Sequence, residues 1–207
     1  NPNNPTGSVK DRMISYVVNK ALDRGEINSE TILCDATSGN TGIALSSVAA
    51  SLGLKCVIFM PKNMSVERKQ MMSVYGAQII DAPDDDFARA IEMRDEFLNS
   101  NNLSWSPKQF SNPDNIECHF TVTAPEILNN LRSSGLSWGA FIHGSGTGGT
   151  IEGVRRFLTK ESPSTVVLMV QPAESPHGIQ GIADGKEFLV KDSDMDGIIK
   201  IETAVAV

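Results

Sequence analysis

Lys10 is the residue whose neighbours best suit it to covalent chemistry. It follows the turn-forming run Asn4-Pro5-Thr6-Gly7 and opens a long helical pattern, with Ser8 and Asp11 at the S-x-x-D spacing of a capped helix start. The first turn of a helix favours anions, so an ammonium group is disfavoured there and the neutral amine becomes more accessible. A neutral lysine amine attacks carbonyls and can form a Schiff base. Two further stretches have the composition of anion cradles. Gly144-Ser-Gly-Thr-Gly-Gly-Thr150 ends a strand pattern and opens a helix, and its N–H groups with the Thr147 and Thr150 hydroxyls suit a phosphate. Thr37-Ser38-Gly39-Asn40-Thr41-Gly42 offers a second helix N-terminus, with three hydroxyls and an amide that suit a carboxylate.

Each stretch also has a plain structural reading: a surface lysine, a glycine turn that lets strand and helix pack, a polar cap. The Gly144 loop matches G-x-G-x-x-G through Gly144, Gly146 and Gly149. A dinucleotide site calls for an acidic residue at the end of the next strand, but that strand ends in Gln171-Pro172 and the first acid is Glu174. Ser38 lies in no G-x-S-x-G, which argues against a hydrolase nucleophile.

The run Asn4-Pro-Thr-Gly-Ser-Val-Lys-Asp-Arg12 resembles the pyridoxal-phosphate lysine motif of the cysteine synthase family, the O-acetylserine sulfhydrylases, within the tryptophan-synthase-β-like (fold type II) enzymes. The resemblance implies that Lys10 carries the cofactor covalently and acts as the catalytic base. Gly146-Thr147-Gly148-Gly149-Thr150 resembles the family's phosphate loop, which implies cofactor contacts from those five residues. Thr37 to Gly42 resembles its substrate loop. That match implies that Asn40 meets the cofactor's 3-hydroxyl, and that Thr37, Ser38, Gly39 and Thr41 hold the amino-acid carboxylate. Gln109-Phe-Ser-Asn-Pro113 is a third match, with Gln109 implied as another carboxylate ligand. Gln180-Gly181-Ile182 resembles a mobile loop of the family, without the longer insert that many relatives carry before it. Dehydratases of the same fold tend to have Ser-Gly-Asn-His-Ala where this chain has Ser38-Gly-Asn-Thr-Gly42, so Thr41-Gly42 leans towards sulfhydrylases.

By this resemblance the expected activity is β-replacement, making L-cysteine and acetate from O-acetylserine and sulfide in a cytoplasmic homodimer. Cystathionine β-synthase and thiosulfate-using sulfhydrylases share the motifs. A non-catalytic truncated chain is the alternative from another class. The family supplies a Ser or Thr near its C-terminus to the pyridine nitrogen, and this chain ends before that point. It is therefore expected to be a fragment lacking both ends, to bind the cofactor poorly, and to assemble through the surfaces left uncovered. With no strand before it, the Lys10 turn is expected to be poorly held.

Alternating strand and helix patterns must position these residues. Val9, Met13, Val17 and Ala21 give the first helix, about residues 8 to 24, an apolar face. Strands are expected at 31–35, 55–60, 78–81, 138–143, 165–171 and 198–201, with a weak one at 104–110. Helices are expected between them, including one opened by Pro83-Asp84-Asp85-Asp86 and a helical region from Asn112 to about Leu131. The pattern predicts an α/β fold of two lobes, each a parallel sheet flanked by helices, with the second lobe incomplete. The boundary is expected near residue 125, giving a lobe of 1–125 with the lysine motif and a lobe of 126–207 with the phosphate loop. Packing of the first helix on the second lobe is left open.

Composition narrows the function class. The 207 residues carry a net charge of −7 with no basic cluster, which argues against nucleic acid as a partner. No apolar run approaches a membrane span. The three cysteines, Cys34, Cys56 and Cys118, are widely spaced without C-x-x-C, as in a reducing compartment, and neither they nor the three histidines suggest a metal site.

Overall fold

Continuous burial along β1 (Ile32–Ala36) and β2 (Lys55–Pro61), with alternate residues facing opposite sides, builds the first half of the protein, in a computed structural model that describes residues 4–37, 39–84, 86–179, 181–182 and 188–206. Leu33, Cys56, Ile58 and Met60 face one apolar cluster, and Cys34, Ala36, Val57 and Phe59 face another on the opposite side. A parallel sheet covered on both faces needs strands that are apolar on both sides, which these are. With β3 (Gln78–Ala82) and β4 (Ser104–Trp105) they form a four-stranded parallel sheet in the order β3-β2-β1-β4.

Helices α1 (Lys10–Asp23), α2 (Asn40–Leu52) and α3 (Val66–Val74) contribute to the first cluster, and α4 (Phe87–Ser100) to the second. Met13, Ile14, Val17, Val18 and Ala21 of α1 are buried beside Ile43, Ala44 and Leu45 of α2. The first helix thus packs within the first unit. Ser65 and Asp86 cap α3 and α4, accepting from the N–H groups of Arg68 (3.5 Å) and Arg89 (2.8 Å). The weak strand expected over 104–110 is confined to the two residues of β4.

The chain divides into two compact units, Asn1–Lys108 and Gln109–Val207. The division falls before the position near 125 read from the sequence. The reason lies in α5 (Pro113–Cys118), the π-turn His119–Thr123 and α6 (Ala124–Ser133), which pack against α7 (Gly149–Glu161) and so belong to the second unit. That unit holds a parallel three-stranded sheet, β5 (Ala140–Gly144), β6 (Val166–Pro172) and β7 (Gly197–Ile201), in that order. Its core joins Ala124 and Leu128 of α6, Ile151, Val154 and Leu158 of α7, and Val167 and Met169 of β6. A short helix α8 (Thr203–Ala206) follows β7.

The π-turn interrupts a region that the sequence read as plain helix. Pro125 has no N–H to give, and its ring would clash with the carbonyl four residues back. The N–H of Ala124 instead donates to the carbonyl of His119, five residues back.

Candidate active site

In the first unit, the turn before α1 holds Lys10. Gly7 takes φ +85°, and its N–H donates to the Asn4 carbonyl at 2.9 Å. Ser8 and Asp11 do not form the reciprocal cap that their spacing suggested. Ser8 Oγ accepts from the Lys10 N–H at 3.2 Å, while the Asp11 carboxylate reaches back to the Thr6 hydroxyl (2.5 Å) and N–H (2.9 Å). Arg12 Nε donates to Asn4 Oδ1 at 3.1 Å. The first turn of the helix thus folds back over the loop and ties it down through these local hydrogen bonds.

Lys10 is half-buried. Burial pulls its amine down from 10.5 to about 8, against an opposing pull from the Asp35 carboxylate. Desolvation is therefore the main cause, where the sequence reading had invoked the helix dipole. Asp35 stands near the end of β1. Its Oδ1 accepts from Arg94 Nη1 (3.0 Å), the Ala36 N–H (2.9 Å) and Ser106 Oγ (3.3 Å). Burial still raises its carboxyl to about 6 against those three contacts.

The loop from Thr37 to Gly42 joins β1 to α2. Thr37 and Thr41 are buried, and Asn40 is exposed at the first position of α2. The Thr37 N–H donates to the Phe59 carbonyl at 3.1 Å, and Thr37 Oγ1 accepts from the Gly39 N–H at 3.2 Å. A Cβ on Gly42 would lie 2.6 Å from Thr37 Cγ2 and 2.8 Å from Met72 Cε, so this turn requires glycine by close approach. Ser38 lies outside the described residues.

In the second unit, the loop from Gly144 to Thr150 joins β5 to α7. Gly148 takes φ +86°, a conformation that suits glycine, and starts the helix. Thr147 and Thr150 are buried. Thr147 Oγ1 accepts from the Gly149 N–H at 3.2 Å and from Asn115 Nδ2 at 3.1 Å. Thr150 Oγ1 meets Nε2 of His119 at 3.1 Å, and Nδ1 of the same ring meets Thr123 Oγ1 at 2.9 Å. A Cβ on Gly153 would lie 2.5 Å from the Ile116 carbonyl oxygen and 2.6 Å from His119 Cβ. The missing side chain lets α7 close onto α5 and the π-turn. Gly181 and Ile182 pack against Gly146 and Gly144, while Gln180 lies outside the described residues.

Gln109 is buried at the start of the second unit, in a turn rather than at a strand end, and its carbonyl accepts from Asn115 Nδ2 at 2.9 Å. Asn115 carries no mark in the sequence, where His119 counts only among the three histidines that suggest no metal site; the contacts of His119 depend on the π-turn.

The second-unit loop fits a phosphate monoester. The N-terminus of a 13-residue helix, a left-handed glycine and two hydroxyls are the donor set that such a group needs. In the first unit, a desolvated amine on a pinned turn suits a carbonyl group.

Curated cysteine synthases are similar to this chain. That of Flavobacterium sp. is 36% identical over 209 residues, covering 96% of this chain and 67% of its own length. That of Staphylococcus aureus is 37% identical over 191 residues, covering 88% of this chain and 61% of its own. The chain thus spans about two thirds of the length of these relatives. The crystal structure of an O-acetylserine dependent cystathionine beta-synthase from Helicobacter pylori superimposes with a TM-score of 0.88 at 34% identity, covering 98% of this chain and 68% of that one. The family model described as pyridoxal-phosphate dependent enzyme matches residues 2–204, and a desolvated lysine in one unit with a phosphate-type cradle in the other is in keeping with it: the chain belongs to the pyridoxal-phosphate-dependent enzyme family.

Proposed function

We propose that the protein makes L-cysteine by β-replacement, from O-acetylserine and sulfide, with pyridoxal phosphate held through Lys10. The observation that carries this reading is Lys10 itself, half-buried at a helix start that Asp11–Thr6 and Arg12–Asn4 hydrogen bonds pin in place, where burial lowers its amine. In this reading the Gly146 to Thr150 loop, with the Thr147 and Thr150 hydroxyls, takes the phosphate. Asn40 serves the cofactor's 3-hydroxyl. Thr37, Ser38, Gly39, Thr41 and Gln109 take the substrate carboxylate. When bound, the cofactor supplies the electron sink for loss of the β-substituent. Lys10 anchors the cofactor, and its neutral amine accepts the proton from Cα of the amino-acid substrate. A pKa near 8 leaves part of the amine population neutral at neutral pH, as a general base requires.

The similarity to an O-acetylserine dependent cystathionine beta-synthase favours a second reading, in which another sulfur nucleophile is used. Product analysis with O-acetylserine and sulfide, thiosulfate or homocysteine decides between them. Cysteine formed with sulfide at the highest kcat/KM supports the first reading, and cystathionine as the main product replaces it with the second. Colourless protein that borohydride does not change, and that gives no product with any nucleophile, would favour the chain without turnover.

We also propose a homodimer in a cytoplasmic setting. Ile142 and Val166 stand on one face of the second sheet and are 56% and 44% exposed, an apolar surface suited to a partner. Cys34, Cys56 and Cys118 are buried free thiols, in keeping with a reducing compartment. No helix among the described residues is long and apolar enough to cross a membrane. Light scattering that gives a monomer at micromolar concentration would refute the dimer.

A further inference from the structure

The two threonines of the phosphate-type loop are each backed by a buried side chain from outside it. A hydroxyl has one proton to give and two lone pairs that accept. On Thr147, both lone pairs are engaged, one by the Gly149 N–H at 3.2 Å and one by Asn115 Nδ2 at 3.1 Å. The amide of Asn115 cannot turn round to reverse this. Its nitrogen also donates to the Gln109 carbonyl at 2.9 Å, and a carbonyl only accepts. Thr147 is left with its proton to offer and nothing with which to accept.

Thr150 has a related arrangement through a ring that can point either way. His119 is 1% exposed and lies between Thr123 Oγ1 at Nδ1 (2.9 Å) and Thr150 Oγ1 at Nε2 (3.1 Å). In a neutral ring one nitrogen donates and the other accepts. A proton on Nε2 makes Thr150 an acceptor towards the ring and releases its own proton for a ligand. A proton on Nδ1 does the opposite, drawing the Thr150 proton into the ring.

We propose that Asn115 and His119 are positioning residues that set both loop threonines as hydrogen-bond donors, with His119 neutral and protonated on Nε2, so that the loop selects a doubly charged phosphate monoester. This rests on the reading of the loop as a phosphate site. Both residues act through the threonines and touch no reacting atom. The fold supplies the reach: the π-turn carries the His119 ring, and Gly149 and Gly153, one helical turn apart, let α7 approach Asn115 and His119.

Two measurements test this. Long-range proton–nitrogen NMR on the unaltered full chain, with His119→Asn to assign the signal, should give the Nε2–H tautomer at neutral pH. The Nδ1–H tautomer or an imidazolium would overturn the proposal without any question of misfolding. Calorimetry should then compare pyridoxal phosphate with pyridoxal, which lacks the phosphate. In His119→Leu and Asn115→Leu, affinity for pyridoxal phosphate should fall about tenfold to a hundredfold while that for pyridoxal stays within about threefold, and His119→Gln, whose amide can still donate, should recover most of the loss. Equal losses for both ligands would reduce the two residues to general support of the fold. If the unaltered protein binds pyridoxal as tightly as its phosphate, the phosphate reading itself fails and this proposal falls with it.

Discussion

Asp35 and Arg94 form a buried ion pair, Nη1 to Oδ1 at 3.0 Å, between the end of β1 and the middle of α4. Asp35 Oδ1 accepts three hydrogen bonds, while Oδ2 is buried with no partner among the described residues. Arg94 Nε is shared with Asp95 at 2.8 Å. One half of the carboxylate is thus held tightly and the other is desolvated without compensation, which is why burial prevails and raises Asp35 to about 6.

Stability should carry the signature of that carboxyl. Its folded pKa is about 6 against an ordinary 3.8, so the folded state binds the proton more tightly. The favourable contribution of protonated Asp35 is complete below the lower value and is lost as pH rises through the higher one. Urea unfolding of the unaltered protein and of Asp35→Asn at pH 4 to 8 should show the variant gaining on the parent as pH rises, by up to about 3 kcal/mol. A difference independent of pH would mean that Asp35 titrates normally in the fold.

Covalent attachment of pyridoxal phosphate should localise to Lys10 and follow the neutral amine. In the chain extended to the length of its relatives, borohydride trapping and mass spectrometry should place the adduct on Lys10, with yield rising through pH 8 or so, and not through 10.5. The Asp35 carboxylate pushes the Lys10 value up, so Asp35→Asn should move this midpoint below that of the unaltered protein. An adduct on another lysine in active protein would remove Lys10 from its role.

Gly153→Ala tests the approach of α7 to the π-turn. The new methyl would meet the Ile116 carbonyl oxygen at 2.5 Å and the Phe120 nitrogen at 2.9 Å, both backbone atoms that cannot swing aside. Overpacking of this kind costs about 1–3 kcal/mol. Thermal melting should register the loss, and cofactor affinity should fall with it because Thr150 loses its contact with His119. An alanine variant with unchanged melting and affinity would show that the two helices separate without consequence.

Ligand choice separates the phosphate reading of the Gly144 to Thr150 loop from the dinucleotide one. Calorimetry on the chain extended to the length of its relatives should give binding of pyridoxal phosphate and none of NAD at comparable concentrations. The strand after the loop, β6, ends at Pro172 without the carboxylate that a ribose would need. Tight NAD binding with no response to pyridoxal phosphate would reverse the assignment.

The sequence by itself determined the alternation of strand and helix, and with it the parallel sheets, because buried strands and amphipathic helices leave distinct periodicities. It also marked Lys10, the Thr37 to Gly42 loop and the Gly146 to Thr150 loop, since turn chemistry and donor-rich helix starts are local and depend on adjacent residues. What it misjudged depended on distant partners. Ser8 and Asp11 have the spacing of a cap, yet Asp11 turns to Thr6 because the loop folds back over the helix. The lowered amine of Lys10 was legible as an outcome, but its cause is burial, which only packing decides. Asn115 and His119 carried no local signal: their meaning comes from Thr147 and Thr150, more than thirty residues onward, and from a π-turn that Pro125 imposes on an otherwise ordinary helix. Side-chain support of a loop is a property of three-dimensional proximity, and a hydrogen bond between residues this far apart leaves no trace in the spacing of either.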